Sequence, residues 1–214
     1  FYDPPSAPGL TFEAVSADGT EQVLRDEIEG DKSAWSVVND PSLSTGAWEP
    51  ATPNGTIDGA NLAAPDLDAT AGAENTKAFV TANGAPGESA FTSDVDGGPT
   101  YLISPTLDMD GTDGTINFAR WFYTSTGEDE FTVEVNNGTS GWVSVSPLTT
   151  NGTNGAWETV SFIVSDHVTP SATVQVRFGA SDEPNNSVVE AGVDNFQVDR
   201  FVCNTACTGD FNDD

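Results

Sequence analysis

The second half of the chain alternates apolar and polar residues with period two. TINFARWFYTS (115–125), DEFTVEV (129–135), WVSVS (142–146), WETVSFIVS (157–165), TVQVRFGAS (173–181) and SVVEAGVDNFQVDRFV (187–202) each fit a half-buried strand. The turn clusters NNGTSG, TTNGTNG and SDEPNN separate them. Evenly spaced strands with turn punctuation predict an all-β, antiparallel two-sheet jelly-roll β-sandwich rather than a βαβ fold. Two sheets packed face to face would bury the alternate aromatics Phe118, Trp121, Phe131, Trp142, Trp157, Phe162, Phe178 and Phe196.

The first half is less regular. LTFEAV (10–15), SAWSVV (33–38), KAFVTA (77–82) and TYLIS (100–104) read as strands, whereas EQVLRDEIEGD (21–31) fits a short helix or an edge strand equally well. Residues 39–76 have few β-branched residues in sequence and predict a long loop, a kind of segment that is usually functional or organised by metal. FYDPPSAPG (1–9) carries three prolines and reads as an extended N-terminal arm. The expected organisation is therefore an arm over 1–9, a sandwich over 10–202 with long metal-organised loops, and a tail over 203–214.

Charge narrows the function classes. The 214 residues include 34 Asp and Glu against 6 Lys and Arg, a formal net charge of −28. The six cations, Arg25, Lys32, Lys77, Arg120, Arg177 and Arg200, are too scattered to form a basic patch, which excludes nucleic acid as a partner. No apolar run approaches the roughly 18 residues of a membrane span, so insertion is not expected. No signal-peptide pattern begins the chain, which reads as mature or trimmed. We read the acidity as fitting an extracellular, cell-surface, calcium-rich or saline setting.

Carboxylates dominate the candidate chemistry. Asp94-Val-Asp96-Gly-Gly sets two acids on a bend that glycine permits, and Asp66-Leu-Asp68 sits in the irregular stretch. Glu13 on the expected first strand, with Glu190 and Asp194 on the last, would meet if those strands are neighbours. Asp210, Asn212 and Asp214 have the spacing that opens an EF-hand-type loop. Ca²⁺ is the expected cofactor of one or more of these groups, and solvated turn acids are the bland alternative. For Asp194, an ion pair with Arg120 or Arg177 is a further alternative.

Trp35, Trp48 and Tyr101 flank the irregular loops and are candidates for stacking on sugar rings, with core or rim packing as the competing reading. Cys203 and Cys207, the two cysteines of the chain, fit a local disulfide in an oxidising compartment or two free thiols. Asn54, Asn137, Asn151 and Asn185 open sequons for glycosylation; three of the four read Asn-Gly-Thr, which is also a turn signal. Catalysis is not expected. His167 is the sole histidine and no nucleophile-elbow pattern accompanies it.

The series TGAWEPATPNGT (45–56), DVDGGPTYLISPTLDM (94–109), FARWFYTSTGEDEFTVEV (118–135), WETVSFIVSDHVTP (157–170), VQVRFGASD (174–182) and VVEAGVDNF (188–196) resembles a jelly-roll β-sandwich domain of secreted bacterial proteins, similar to MAM and galactose-binding-like modules. The tail resembles the start of a dockerin-type calcium repeat. The resemblance implies a non-catalytic sandwich with structural Ca²⁺ held by acids among Asp68, Asp94, Asp96, Glu190 and Asp194, and with structural arginines at Arg120 and Arg177. Two functions follow as expectations. In the first, a calcium-binding protomer assembles with copies of itself, head to tail through the N-terminal arm, into a filament, appendage or surface coat. In the alternative, the chain is a carbohydrate- or surface-binding accessory module of a larger secreted hydrolase or peptidase.

Overall fold

The computed structural model describes residues 19–70, 72, 75–149 and 155–202. The strands in chain order are β1 (Gly19–Asp26), β2 (Ser36–Asn39), β3 (Trp48–Ala51), β4 (Ile57–Asp58), β5 (Asn61–Leu62), β6 (Ala78–Thr81), β7 (Gly97–Ile103), β8 (Gly114–Thr124), β9 (Thr132–Asn136), β10 (Val143–Ser144), β11 (Glu158–Ile163), β12 (Gln175–Asp182) and β13 (Val189–Val202). Their ladders are antiparallel and build two sheets. The first has the order β11-β8-β13-β6-β3, with β1 also pairing with β13; the second is β10-β9-β12-β7-β2. The two-sheet sandwich expected from the alternation is the observed fold. The ambiguous 21–31 segment resolves as strand β1, lying against the last strand of the chain.

One apolar face of each sheet turns inward. Ile116, Phe118 and Phe122 of β8 and Val189, Val193, Phe196 and Val198 of β13 meet Leu102, Val133, Val135, Val176 and Phe178 of the second sheet. Phe178 is central, with its ring centroid 4.8 Å from Phe118, 6.1 Å from Phe131 and 6.3 Å from Phe196. Trp35 and Trp48 belong to this core as well. The Trp35 ring lies 5.0 Å from Phe79 and 5.2 Å from Phe196, and Trp48 is 4% exposed.

The irregular 39–76 stretch holds two surprises. Trp48–Ala51 is a strand, paired with β6 at the edge of the first sheet, where Pro50 can sit because an edge strand spares the missing N–H. The remainder, residues 52–70, includes the β4–β5 hairpin and lies as a strap over the outer face of the first sheet. That face is apolar where the strap covers it. Ala78 and Val80 of β6, Trp121 and Tyr123 of β8, and Val188 form a second buried cluster with Ala63 and Ala64 of the strap. The sheet therefore has a core on one side and a covered layer on the other. Trp121 and Trp157, expected in the main core, pack against each other in this second layer with centroids 6.2 Å apart.

The Asp-Val-Asp-Gly-Gly bend forms as expected. Gly97 has φ +79°, and a Cβ there would stand 2.4 Å from the Ser42 carbonyl oxygen, so only glycine fits.

Candidate functional site

Two regions concentrate functional side chains: the acids beneath the strap, and the outer face of the second sheet.

Glu190 and Asp194 project from β13 on the strap side and are 1% and 0% exposed. Groups of the strap satisfy both. The Thr56 hydroxyl lies 2.7 and 2.8 Å from the two Glu190 oxygens. The Ala69 N–H and Thr70 hydroxyl donate to Asp194 Oδ2 at 2.9 and 3.2 Å, and the Asn195 N–H donates to Oδ1 at 2.7 Å. Asn195 itself adopts φ +51° at the bulge that follows, a conformation Asn tolerates better than most residues. Three further bonds fasten the strap. Tyr123 Oη donates to Asp58 at 2.7 Å, Trp157 Nε1 donates to the Leu67 carbonyl at 2.7 Å, and the Gly55 N–H donates to Asp66 at 3.0 Å. Among the described residues these hydrogen bonds tie the strap to the first sheet.

Burial governs the ionisation of these acids. Desolvation raises Glu190 to about 8 against the lowering effect of the Thr56 bond, with repulsion from Asp94 adding to the rise. Desolvation likewise raises Asp194 to about 6. Asp68 is raised by desolvation and by repulsion from Glu29 and Glu27, and its buried Oδ2 has no hydrogen-bond partner among the described residues. At the end of the sandwich, desolvation and the neighbouring Asp96 and Asp182 carboxylates raise Asp94 to about 6. Asp96 accepts from Thr45 Oγ1 and Asn185 Nδ2.

The sequence-predicted acids therefore gather as neighbours rather than as one cage: Asp94 near Asp96 and Glu190, and Asp68 near Asp194. Among the described residues no three His, Cys, Asp or Glu side chains converge so as to hold a metal ion. Neither arginine pairs with Asp194. Arg120 Nε donates to Glu158 at 2.8 Å and Arg177 Nε to Glu134 at 2.6 Å. Glu13, Asp210, Asn212, Asp214, Cys203, Cys207, Asn151 and the 1–9 arm lie outside the described residues.

The sugar-stacking candidates divide. Trp35 and Trp48 are corrected to core residues, with their indole N–H groups spent on Asp26 Oδ2 and the Thr100 carbonyl, so neither offers a ring to solvent. Core packing, one of the two competing readings of these rings, is what their burial between the sheets shows. Tyr101 does lie on an outward face. Strand alternation places it on the outer side of β7 with Ile103, while Leu102 points into the core. Across β12 the outward positions are Gln175, Arg177 and Gly179; across β9 they are Thr132, Glu134 and Asn136. Val38 of β2 stands opposite Tyr101 and is 52% exposed.

Trp142, expected in the core, belongs to this face too. It precedes Val143, which pairs with the inward Val135, so alternation turns the indole outward. Arg177 links the two aromatics: its guanidinium carbon lies 3.9 Å from the Tyr101 ring centroid and 4.6 Å from that of Trp142. Gly179 lets the Thr132 and Tyr101 side chains close over β12, because a Cβ there would stand 2.4 Å from Thr132 Oγ1 and 2.8 Å from Tyr101 Cε1. Sequence reading had the alternation needed to find Trp142 and Arg177 here, but lacked the register that joins them to Tyr101.

Of the glycosylation candidates, Asn137 is buried and its Nδ2 donates to the Thr169 carbonyl, which removes it as an acceptor site. Asn54 Nδ2 is bound to the Gly84 carbonyl at 2.8 Å, and Asn185 is exposed. His167 packs edge-on against Phe162 at 5.6 Å. Among the described residues, no helix is long and apolar enough to cross a membrane.

No family model matches the chain, and no curated protein matches it. Solved structures do. The K3 cleaved adhesin domain of Lys-gingipain from Porphyromonas gingivalis superposes with TM-score 0.54 at 18% identity, over 85% of this chain and 99% of that one. The K1 cleaved adhesin domain of the same protein gives 0.50 at 16% identity, over 84% and 97%. A carbohydrate-binding module of the β-sandwich superfamily, described as promiscuous in specificity, gives 0.50 at 11% identity, over 81% of this chain and 60% of that one. At these identities the likeness is one of fold: the chain is a β-sandwich of the architecture shared by adhesin domains and carbohydrate-binding modules.

Proposed function

We propose that the chain is a non-catalytic, extracellular carbohydrate-binding module that uses the outer face of the second sheet. One observation carries the reading. In a chain of net charge −28, the outward positions of β7, β9, β10 and β12 carry a single acid and a single base, Glu134 and Arg177, and these neutralise each other. The rest of that face is aromatic, amide, hydroxyl or aliphatic. Rings that pack against sugar C–H groups, flanked by hydrogen-bonding side chains, are what a carbohydrate platform needs. The fold shared with a carbohydrate-binding module agrees with this reading. It also makes the accessory-module expectation the better of the two. The filament expectation rests on the 1–9 arm, and no described residue speaks for it.

Affinity electrophoresis against a panel of soluble polysaccharides tests the proposal. The wild type is expected to be retarded by at least one. Tyr101→Ala and Trp142→Ala should each weaken retardation about tenfold or more, equivalent to roughly 1.4 kcal/mol. A wild type that binds no polysaccharide would refute the platform.

Calcium binding is a separate proposal. Its support is the gathering of Asp96 and Asp182 beside Asp94: burial raises the Asp94 carboxyl to about 6, repulsion from the two neighbours adds to the rise, and a divalent cation with oxygen ligands would relieve that repulsion. Titration calorimetry with calcium chloride is expected to show saturable heat for the wild type and none for Asp94→Asn. A flat wild-type trace overturns it.

A further inference from the structure

The geometry points to neutral sugars as the ligand class: the Arg177–Glu134 pair, clasped between Tyr101 and Trp142, reads neighbouring hydroxyls of an uncharged sugar residue, and the platform rejects acidic sugars. This rests on the carbohydrate-binding reading above and sharpens it.

The argument begins with charge. A uronate or other acidic sugar needs a cation with charge to spare. Arg177 has none, since Glu134 Oε2 sits 2.6 Å from its Nε. No other cation is within the same face. Arg25 and Arg200 lie on β1 and β13 of the opposite sheet, Arg120 on β8 is 4% exposed, Lys32 is bound to Asp26, and Lys77 directly precedes β6. Around the platform the net charge of −28 repels anions further.

Hydrogen-bonding capacity points the same way. With Nε committed, the guanidinium retains its Nη donors, and Glu134 retains Oε1 as an acceptor. A donor group and an acceptor side by side match two adjacent hydroxyls, which can accept from one and donate to the other. A carboxylate would meet the guanidinium well but would face Glu134 with like charge. The pair is accessible, at 19% and 18% side-chain exposure, yet it is not free to wander. Two rings fix the guanidinium plane and the ion pair fixes its rotation, so little ordering remains to be done when a ligand arrives.

The full chain should be assayed by isothermal titration or affinity gel against neutral β-glucan, galactan and mannan, and against polygalacturonate and alginate. Each should be run in dilute buffer and again at about 0.5 M salt, where surface repulsion is screened. Binding to at least one neutral polymer is expected, with none to the polyuronates even at high salt. Arg177→Lys keeps the charge but loses the planar fork, and Glu134→Gln removes the acceptor charge. Each should weaken neutral binding tenfold or more with an unchanged thermal midpoint, and Glu134→Gln should gain affinity for polygalacturonate. If Tyr101→Ala and Trp142→Ala abolish binding while Arg177→Lys and Glu134→Gln leave it intact, the platform stands and this assignment falls. Tight polyuronate binding by the wild type also overturns this assignment alone. A wild type that binds nothing overturns both.

Discussion

The protein should lose stability as the pH rises from about 5 to about 9, and Glu190 should be the main cause. An unfolded glutamic acid gives up its proton near 4.5, whereas the folded one holds it to about 8. Between those values the folded state binds more protons than the unfolded state, so each increment of pH draws the equilibrium toward unfolding. The contribution is fully present below about 4.5, declines through the window, and is gone above about 8. Asp194 and Asp94 act in the same direction between 3.8 and about 6. Self-repulsion of a −28 chain adds to the trend. A shift of the size seen at Glu190 corresponds to several kcal/mol, on the order of 5, as an upper limit for a group buried this completely. Urea denaturation in the presence of a chelator, at three pH values across the window, measures the slope. Glu190→Gln mimics the protonated acid and keeps a partner for the Thr56 hydroxyl. It should match the wild type near pH 5 and exceed it near pH 9. A wild type equally stable at both ends, or a Glu190→Gln protein with the same slope, would show that the side chain beneath the strap is not a buried neutral acid.

The largest loss from a single substitution is expected at Phe178→Ala. Its ring is fully buried and joins both sheets through Phe118, Phe131 and Phe196. Deleting it removes apolar burial and leaves a cavity that β-strands, tied by ladders on both sides, cannot collapse to fill. The cost is about 3–5 kcal/mol, a fall of the thermal midpoint by roughly 10 °C for a chain of this size. Phe91→Ala is the control, since that ring is 66% exposed and should cost within about 0.5 kcal/mol. Equal midpoints for the two variants would mean that the aromatic cluster does not carry the sandwich.

Little of the platform was visible before the fold. Trp35, Trp48 and Tyr101 looked alike from their surroundings, beside irregular sequence, and one of the three proved to face solvent. The deciding information is which face of which sheet a strand presents, and that depends on pairing partners far away in the chain. Trp142 and Arg177 are 35 positions apart in the numbering, and Tyr101 is farther still. They meet only because β12 pairs with both β7 and β9, and β10 extends that order. The acids show the converse. Asp194 was placed in an apolar strand context, where a buried carboxylate needs a partner, and both it and Glu190 are buried. The strap's partners for them are two hydroxyls and one backbone N–H, from Thr56, Thr70 and Ala69, in a segment whose irregular sequence offered no periodicity by which to place it.

The sequence by itself determined the secondary structure of the second half, the two-sheet class and the phenylalanines between the sheets, Phe118, Phe131, Phe162, Phe178 and Phe196. It could do so because period-two alternation is local: each residue's side is set by its neighbour's, without reference to the rest of the chain. Charge composition likewise needed no fold to set an expectation against nucleic acid as a partner. Tertiary structure alone decided that residues 52–70 cover one sheet, that β3 is a strand despite Pro50, and that an acidic protein keeps one nearly uncharged face. Each of these is a relation between segments distant in sequence, fixed by register and by which apolar surface found a cover. That is a collective outcome of packing, and no short window of residues encodes it.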